Sequence, residues 1–156
     1  MQHEGRSGPS NEPLDETDRK IVAALRRDGR LSVSALADAV SISRANAYTR
    51  LNRLIESRVI TGFTAQVDPA KLGHTTSAYV MLQLQQASWQ NVRPRVAQIP
   101  EVHHVALVGG DFDVILLVRA HDTADLRRVV LHELQSIPEV RQTKTSLVFE
   151  DHDLNS

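Results

Sequence analysis

The stretch LSVSALADAVSISRANAYTRLNRLIESR, Leu31 to Arg58, predicts two short helices joined by a tight polar turn. Ser43 suits the N-cap of the second helix, where its hydroxyl can accept from an unpaired backbone amide. At about 100° per residue, one side of that helix is apolar, with Ala47, Leu51, Leu54 and Ile55. The other side is polar, with Asn46, Thr49, Arg50 and Arg53, and Arg44 stands at the entrance. This is the pattern of a helix-turn-helix whose second helix enters the major groove of DNA.

An amphipathic helix in an all-helical bundle would show a similar division of faces. Charge favours DNA, because residues 30–58 carry five Arg against Asp38 and Glu56 and contain no Lys. Arginine is suited to bidentate contacts with phosphates and bases. The residues that follow, 59–65, place Gly62 between two short β-prone stretches, which predicts the wing of a winged helix.

Charge is distributed unevenly along this chain of 156 residues, whose formal net charge is −1. Residues 14–66 carry nine Lys or Arg against six Asp or Glu, whereas residues 67–156 carry eight against eleven. A basic half followed by an acidic half suggests that the two halves meet different partners. The absence of cysteine excludes a disulfide framework and thiolate metal ligation. No apolar run reaches membrane-span length, so we expect a cytoplasmic protein and no membrane partner.

Composition divides the chain into five segments. Residues 1–13 are polar and rich in Gly, Ser and Pro, which predicts a disordered tail. A winged helix-turn-helix domain is expected over residues 14–67, with Asp15 as the N-cap of its first helix and Glu16 and Asp18 in that helix's first turn. Asp68-Pro69 and Leu72-Gly73 punctuate a linker at 68–74. A second domain is expected at 75–150, and a tail at 151–156.

The second domain alternates strands and helices. Strands are expected at 75–84, 102–108, 113–120 and 140–149, and helices at 90–99 and 124–135. This β-α-β-β-α-β order is that of a ferredoxin-like sandwich, and the fold class is therefore α+β. Each helix closes on the sequence Ile-Pro-Glu-Val, at 99–102 and 137–140, which supports a duplicated β-α-β unit.

A sheet with helices on one face leaves its other face open. Tyr79, Met81 and Leu82 in one strand, and the unbroken run 114–118 in another, make both faces apolar. An exposed apolar sheet face is unfavourable in water. We therefore expect a homodimer, whose twofold axis would present two recognition helices to a pseudo-palindromic site.

Residues 14–150 resemble the Lrp/AsnC, or feast/famine, family of transcriptional regulators. The resemblance depends on the order and spacing of several short motifs: Leu14-Asp15 with Asp18, Ile21 and Leu25; Asp28-Gly29-Arg30; Leu36-Ala37 and Val40; Ser43, Arg50, Arg53 and Leu54; residues 59–63; residues 108–113; and Thr143-Lys144-Thr145. It implies a sequence-specific regulator of double-stranded DNA, with DNA contacts from Ser43, Arg44, Asn46, Ala47, Thr49, Arg50 and Arg53.

The resemblance also implies that the sandwich domain dimerises, assembles further into octamers or other higher oligomers, and binds an amino acid or related metabolite. The effector residues implied are Val108, Gly109, Gly110, Asp111, Asp113 and Thr145. Glycines let backbone amides approach an α-carboxylate, and an aspartate can meet an α-ammonium. The alternative is that Gly-Gly-Asp forms only a turn, capped by its aspartates.

The chain departs from the family pattern around its turn. Many members have Gly where this chain has Ser41, and often Pro near the start of the recognition helix, where it has Arg44-Ala45-Asn46. Ser41 can still make the turn at a small conformational cost.

Other readings have less support. His103 and His104 are adjacent on a strand, so they point to opposite faces and cannot readily share a metal ion. The order of 109–113 differs from that of a cyclase motif, and no catalytic constellation emerges. We therefore expect no catalytic residue, metal or cofactor. The remaining alternative is a metabolite-binding or enzymatic sandwich whose N-terminal helices serve assembly.

Overall fold

The computed structural model describes residues 13–85 and 88–152. The chain divides into two compact units, one ending at Ala65 and the other beginning at Gln66. Residues 1–12 of the predicted N-terminal tail and residues 153–156 of the predicted C-terminal tail lie outside the described residues.

The first unit consists of three helices, α1 (Glu16–Arg27), α2 (Val33–Val40) and α3 (Arg44–Glu56). Each begins at a side-chain cap, since Asp15, Ser32 and Ser43 each accept a hydrogen bond from a backbone amide of the first turn. The buried apolar residues pack together as a small core: Ile21, Ala24, Leu25, Leu36 and Leu54. The predicted helix-turn-helix is therefore confirmed, including Asp15 and Ser43 as caps.

The turn between α2 and α3 depends on a left-handed residue. Ser41 has φ 58° and ψ 49°, a conformation that glycine adopts without the steric cost other residues bear. The amide of Ile42 donates to the carbonyl of Ala37 at 3.0 Å and closes the turn. Ser41 thus makes the turn at the small conformational cost expected from the sequence.

The predicted strands of the wing do not form. Residues 61–68 have no regular secondary structure, and the first unit contains no strand among its described residues. A strand needs a neighbour for its backbone groups, and the β-prone stretches around Gly62 find none in this unit. The amide of Ile60 instead donates to the Leu54 carbonyl at 2.9 Å, which ties the start of the segment to the end of α3.

The second unit is a four-stranded antiparallel sheet with two helices. Its elements are β1 (Thr76–Leu84), α4 (Trp89–Val96), β2 (Val102–Leu107), β3 (Val114–Ala120), α5 (Thr123–Arg128) and β4 (Val140–Val148). The strand order is β2-β3-β1-β4, which confirms the ferredoxin-like βαββαβ sandwich. The α-helix expected over 124–135 ends early, because Val129–Leu134 continue α5 as a π-helix. The amide of Gln135 accordingly donates to the Val130 carbonyl, five residues back, at 3.0 Å.

The two faces of the sheet differ in burial. Alternate residues of β1 and β3 are buried with α4 and α5: Ala78, Val80, Leu82 and Leu84, and Val114, Leu116, Val118 and Ala120. Apolar residues of the opposite face remain partly or fully accessible, and Tyr79 pairs there with Leu117, and Met81 with Ile115. Leu82 lies on the buried face and Tyr79 and Met81 lie on the open one, so both faces of this strand are apolar, as the sequence predicts. None of the described helices is long and apolar enough to cross a membrane.

Candidate functional site

The first half of α3 presents exposed polar side chains. The Ser43 hydroxyl accepts from the Asn46 amide at 3.2 Å. Arg44 is exposed, and among residues 13–85 and 88–152 it makes no ion pair or side-chain hydrogen bond. Thr49 is also exposed, and its hydroxyl donates to the Ala45 carbonyl at 3.0 Å. Both remaining lone pairs of the Thr49 hydroxyl can accept from a ligand.

The second half of α3 is engaged by α1. Arg50 Nη1 lies 2.6 Å from Asp15 Oδ2 and 2.9 Å from Asp18 Oδ1. Arg53 Nη2 lies 2.5 Å from the other oxygen of Asp18. Each oxygen of the Asp18 carboxylate therefore binds a different arginine, and the Asp18 side chain is fully buried. These ion pairs hold both predicted DNA-contacting arginines against the first helix.

The same two aspartates form the capping box of α1. Asp15 Oδ1 accepts from the Asp18 amide at 2.8 Å, and Asp18 Oδ2 accepts from the Asp15 amide at 3.2 Å. The hydrogen bond from the Asp18 amide, and then the Arg50 guanidinium, lower the pKa of Asp15 below its ordinary 3.8. Hydrogen bonds to the side chains of Asp15 and then Asp18 raise the pKa of Arg50. Asp15 is therefore ionised at neutral pH, in a site that already holds two arginine side chains.

Arg50 also contacts the first turn of its own helix. Its Nε donates to Asn46 Oδ1 at 2.9 Å. A chain of hydrogen bonds thus runs from the buried Asp18 through Arg50 to the exposed Asn46.

One predicted DNA contact requires correction. The Ala47 side chain is fully buried between the helices, so it cannot meet a base edge. Tyr48, in contrast, is 59% exposed and was missed by sequence reasoning. Its spacing of four residues from Arg44 was the available signal, since such residues share a helix face.

The predicted effector residues lie mainly in the β2–β3 loop. The amide of Val108 donates to the Asp113 carbonyl at 2.9 Å. Gly110 has φ 125°, a conformation that suits glycine, and both loop glycines face open space. Asp113 Oδ2 accepts from the Leu84 amide at 2.7 Å, so this carboxylate serves the end of β1. Asp111 is exposed.

Thr145 is separated from that loop within one chain. Thr145 lies on the edge strand β4 and pairs with Val80 of β1, which separates β4 from β3. A cavity of about 340 Å³ lies elsewhere, in the first unit, lined by Ile55, Arg58, Ile60, Thr61, Gly62 and Phe63. It contains none of the predicted effector residues.

The described residues contain no group of three or more His, Asp or Glu arranged to hold a metal ion. His103 contacts the ring of His74 edge-on, with centroids 5.3 Å apart, rather than acting with His104.

Comparison with known proteins identifies the family of this chain. Residues 14–61 match the family of winged helix-turn-helix DNA-binding domains, and residues 77–154 match the Lrp/AsnC ligand-binding domain. The chain is 40% identical to the HTH-type transcriptional regulator AldR of Mycolicibacterium smegmatis over 140 residues, 88% of this chain and 82% of that protein. It is 36% identical to the proline dehydrogenase transcriptional activator of Rhizobium radiobacter over 140 residues, 88% of this chain and 90% of that protein.

A solved structure shares the whole fold. The transcriptional regulator from Neisseria meningitidis in complex with L-Met superimposes with a TM-score of 0.86 over 92% of this chain and 96% of that one, at 24% identity. These relatives are DNA-binding regulators rather than enzymes. The chain belongs to the Lrp/AsnC family of transcriptional regulators.

Proposed function

We propose that this regulator binds specific DNA sequences through the first half of α3. Ser43, Arg44, Asn46 and Thr49 are the predicted contacts, and we add Tyr48. The observation that carries this proposal is the exposure of Arg44 at the helix entrance, without a partner in the described chain. We further propose that Arg50 and Arg53 act chiefly by fixing α3 on α1, because Asp15 and Asp18 already engage them.

A gel-shift titration on DNA upstream of the protein's own gene tests this assignment. Arg44→Ala should weaken binding and reduce the magnitude of the salt slope by about one, because one phosphate or base contact is lost. Arg141→Ala is the matched control, since Arg141 is an exposed arginine on β4 of the other unit. Equal affinity and salt dependence in Arg44→Ala and the parent would contradict the proposal.

The arginine pair requires a separate measurement. Arg50→Ala/Arg53→Ala should weaken DNA binding together with the stability of the first unit, because it leaves Asp18 buried without its cations. Binding equal to that of the parent would show that the second half of α3 contributes nothing to recognition.

We propose that the domain of residues 14–67 binds DNA and that the domain of residues 75–150 binds the effector and forms oligomers. Residues 68–74 link the two domains, and the protein acts in the cytoplasm. An amino acid or related metabolite is the proposed effector. The names of two relatives support this class, since one is a proline dehydrogenase activator and another was solved with L-Met. In this chain the exposed Asp111 and the open backbone at Gly109 and Gly110 suit an α-amino acid. Val108, Asp113 and Thr145 would support the pocket in the assembled protein.

A thermal-shift screen over amino acids and their keto-acid relatives tests the effector class. A bound ligand raises the unfolding temperature according to its concentration relative to Kd. Asp111→Asn should abolish the shift, while Asp38→Asn, an exposed carboxylate on α2, should retain it. A shift that survives Asp111→Asn would remove this residue from the site.

The open sheet face supports a homodimer. Leu117→Arg places a charge at its centre and should yield monomers in sedimentation experiments, because an unpaired charge is costly to bury. Leu147→Arg is the control, since Leu147 pairs with Ala78 and therefore projects to the opposite face at the edge strand. Unchanged dimers in Leu117→Arg would contradict the interface.

Further assembly into octamers and its control by the effector remain predictions. An effector can change the spacing of recognition helices only through different affinities for two assemblies. Light scattering with and without the effector that the screen identifies should therefore show a change in assembly alongside a change in DNA binding.

A further inference from the structure

The link between the buried Asp18 and the exposed Asn46 bears on which bases α3 can read. We infer that Asp18 and Arg50 determine base specificity by fixing the side-chain amide of Asn46. This inference rests on the proposed role of α3 in DNA binding. It concerns Asp18, which is fully buried and acts through Arg50 rather than by touching DNA.

The amide orientation follows from donor and acceptor chemistry. Arginine Nε can only donate, so the atom of Asn46 that it meets at 2.9 Å is the oxygen Oδ1. Arg50 is itself held in place, because its Nη1 lies within 3 Å of carboxylate oxygens from both Asp15 and Asp18. Asn46 therefore keeps its Nδ2 amino group as the part of the amide that is not engaged within the described chain.

This arrangement conflicts with the usual recognition of adenine. Asparagine reads adenine by accepting from the N6 amino group and donating to N7 at the same time. In this protein the acceptor oxygen already receives a hydrogen bond from a guanidinium, and its second lone pair lies beside that positive charge. An approaching adenine amino group would bring its partly positive hydrogens toward the cation, which is unfavourable.

Acceptor groups meet no such penalty. Guanine offers N7 and O6, and thymine offers O4, so each can accept from Asn46 Nδ2 without bringing an amino group toward Arg50. Adenine N7 could also accept, but the N6 amino group beside it would then approach the guanidinium. The helix-turn-helix places the first residues of the recognition helix at base edges, and Asn46 lies in the first turn of α3. We therefore expect guanine or thymine, rather than adenine, opposite Asn46.

Selection from a randomised duplex library with the full-length protein tests this inference. The variants are Asn46→Ala, which identifies the base position read by Asn46, Arg50→Lys, which keeps a cation for the aspartates but removes Nε, and Asp18→Asn. Glu16→Gln is the matched control, because Glu16 lies in the same first turn of α1 but pairs with the exposed Lys20 rather than with an arginine of α3.

Asn46→Ala should lose the preference at one position in each half-site. Arg50→Lys should gain adenine at that same position by about tenfold, within the range of one bidentate base contact. Asp18→Asn should shift the preference in the same direction, and Glu16→Gln should match the parent. Circular dichroism establishes which variants are folded, and Arg50→Lys keeps the test decisive if Asp18→Asn unfolds.

The results separate this inference from the proposed function. If Asn46→Ala alters one position but the folded Arg50→Lys leaves the preference there unchanged, the inference is overturned while DNA reading by α3 stands. An Asn46→Ala variant with unchanged preference at every position also overturns it. If the parent selects no sequence at all, the proposed function itself fails.

Discussion

Different interactions stabilise the interior of each of the two units. Among its described residues, the sandwich buries sixteen apolar side chains in one cluster between its sheet and helices. The helix-turn-helix has five residues in its apolar cluster and also buries Asp18, whose carboxylate binds two arginines. Apolar packing is tolerant of direction, whereas hydrogen-bonded ion pairs require particular positions of their partners.

This difference in core interactions suits the different roles of the two units. A recognition helix must present its side chains at a defined angle to a groove, and a small apolar core specifies that angle weakly. Asp18 links α1 to two successive turns of α3 and so restricts its rotation and translation. For the self-association that we propose for the sandwich, a large apolar core provides a stable platform.

The largest effect should come from a cavity in the sandwich core. Leu116 is fully buried in the middle of β3, and truncation of such leucines costs about 3–4 kcal/mol. Leu116→Ala should therefore lower the urea midpoint strongly, as followed by circular dichroism. Leu147→Ala, at a residue that is 51% exposed, should change the midpoint little; equal losses in the two variants would refute apolar packing as the main source of stability.

Asp18→Asn should produce the next largest effect, about 2–3 kcal/mol, because it removes the charge that balances two partly buried guanidinium groups. Hydrogen exchange should show increased opening in α1 and α3 without a similar change in the sandwich. Glu16→Gln should cost at most a few tenths of a kcal/mol, since exposed ion pairs contribute little. Full protection of α3 in Asp18→Asn would mean that the five apolar residues position this helix alone.

Local signals explain how much of this comparison could be predicted from the sequence. The caps at Asp15 and Ser43 depend on residues three positions away, and the strands depend on alternation, so both follow from short windows. The ferredoxin-like order follows from the sequence of elements and the repeated Ile-Pro-Glu-Val. These features were predicted correctly.

The remaining features depend on partners distant in sequence. Asp18 meets Arg50 and Arg53 across 32 and 35 residues, and no periodicity indicates which acid faces which base. Asp113 similarly reaches the Leu84 amide across 29 residues. The stretch 59–65 has the composition of strands but lacks a pairing partner in its unit, which composition alone cannot reveal.

A smaller effect should appear at the turn that sets α3 against α2. Ser41 is left-handed, with φ 58°, so Ser41→Gly should stabilise the first unit by about 0.5–1 kcal/mol through relief of steric strain. Ser34→Gly is the matched control, because Ser34 lies inside α2, where glycine should destabilise by about 0.5 kcal/mol. Thermal unfolding should thus shift in opposite directions for the same substitution at two serines, and a loss in both would contradict the strain at Ser41.

The smallest effect should be a difference between the two units in how their stability depends on pH. Reduced hydration, and then the nearby His74 and Arg119, lower the pKa of His103 below its ordinary 6.5, and Arg119 in turn faces Asp151 at 3.4 Å. The unfolded chain therefore binds a proton at His103 more readily than the folded sandwich does, so stability should fall as pH drops below 6.5 and level off below the folded pKa. Asp15 contributes in the same direction but at lower pH, since its lowered pKa keeps its contribution to the first unit until pH falls below 3.8. His103→Gln should flatten the slope just below pH 6.5 in urea unfolding of the sandwich, whereas His104→Gln on the same strand should retain it. A slope that persists in His103→Gln would assign the titration to another group.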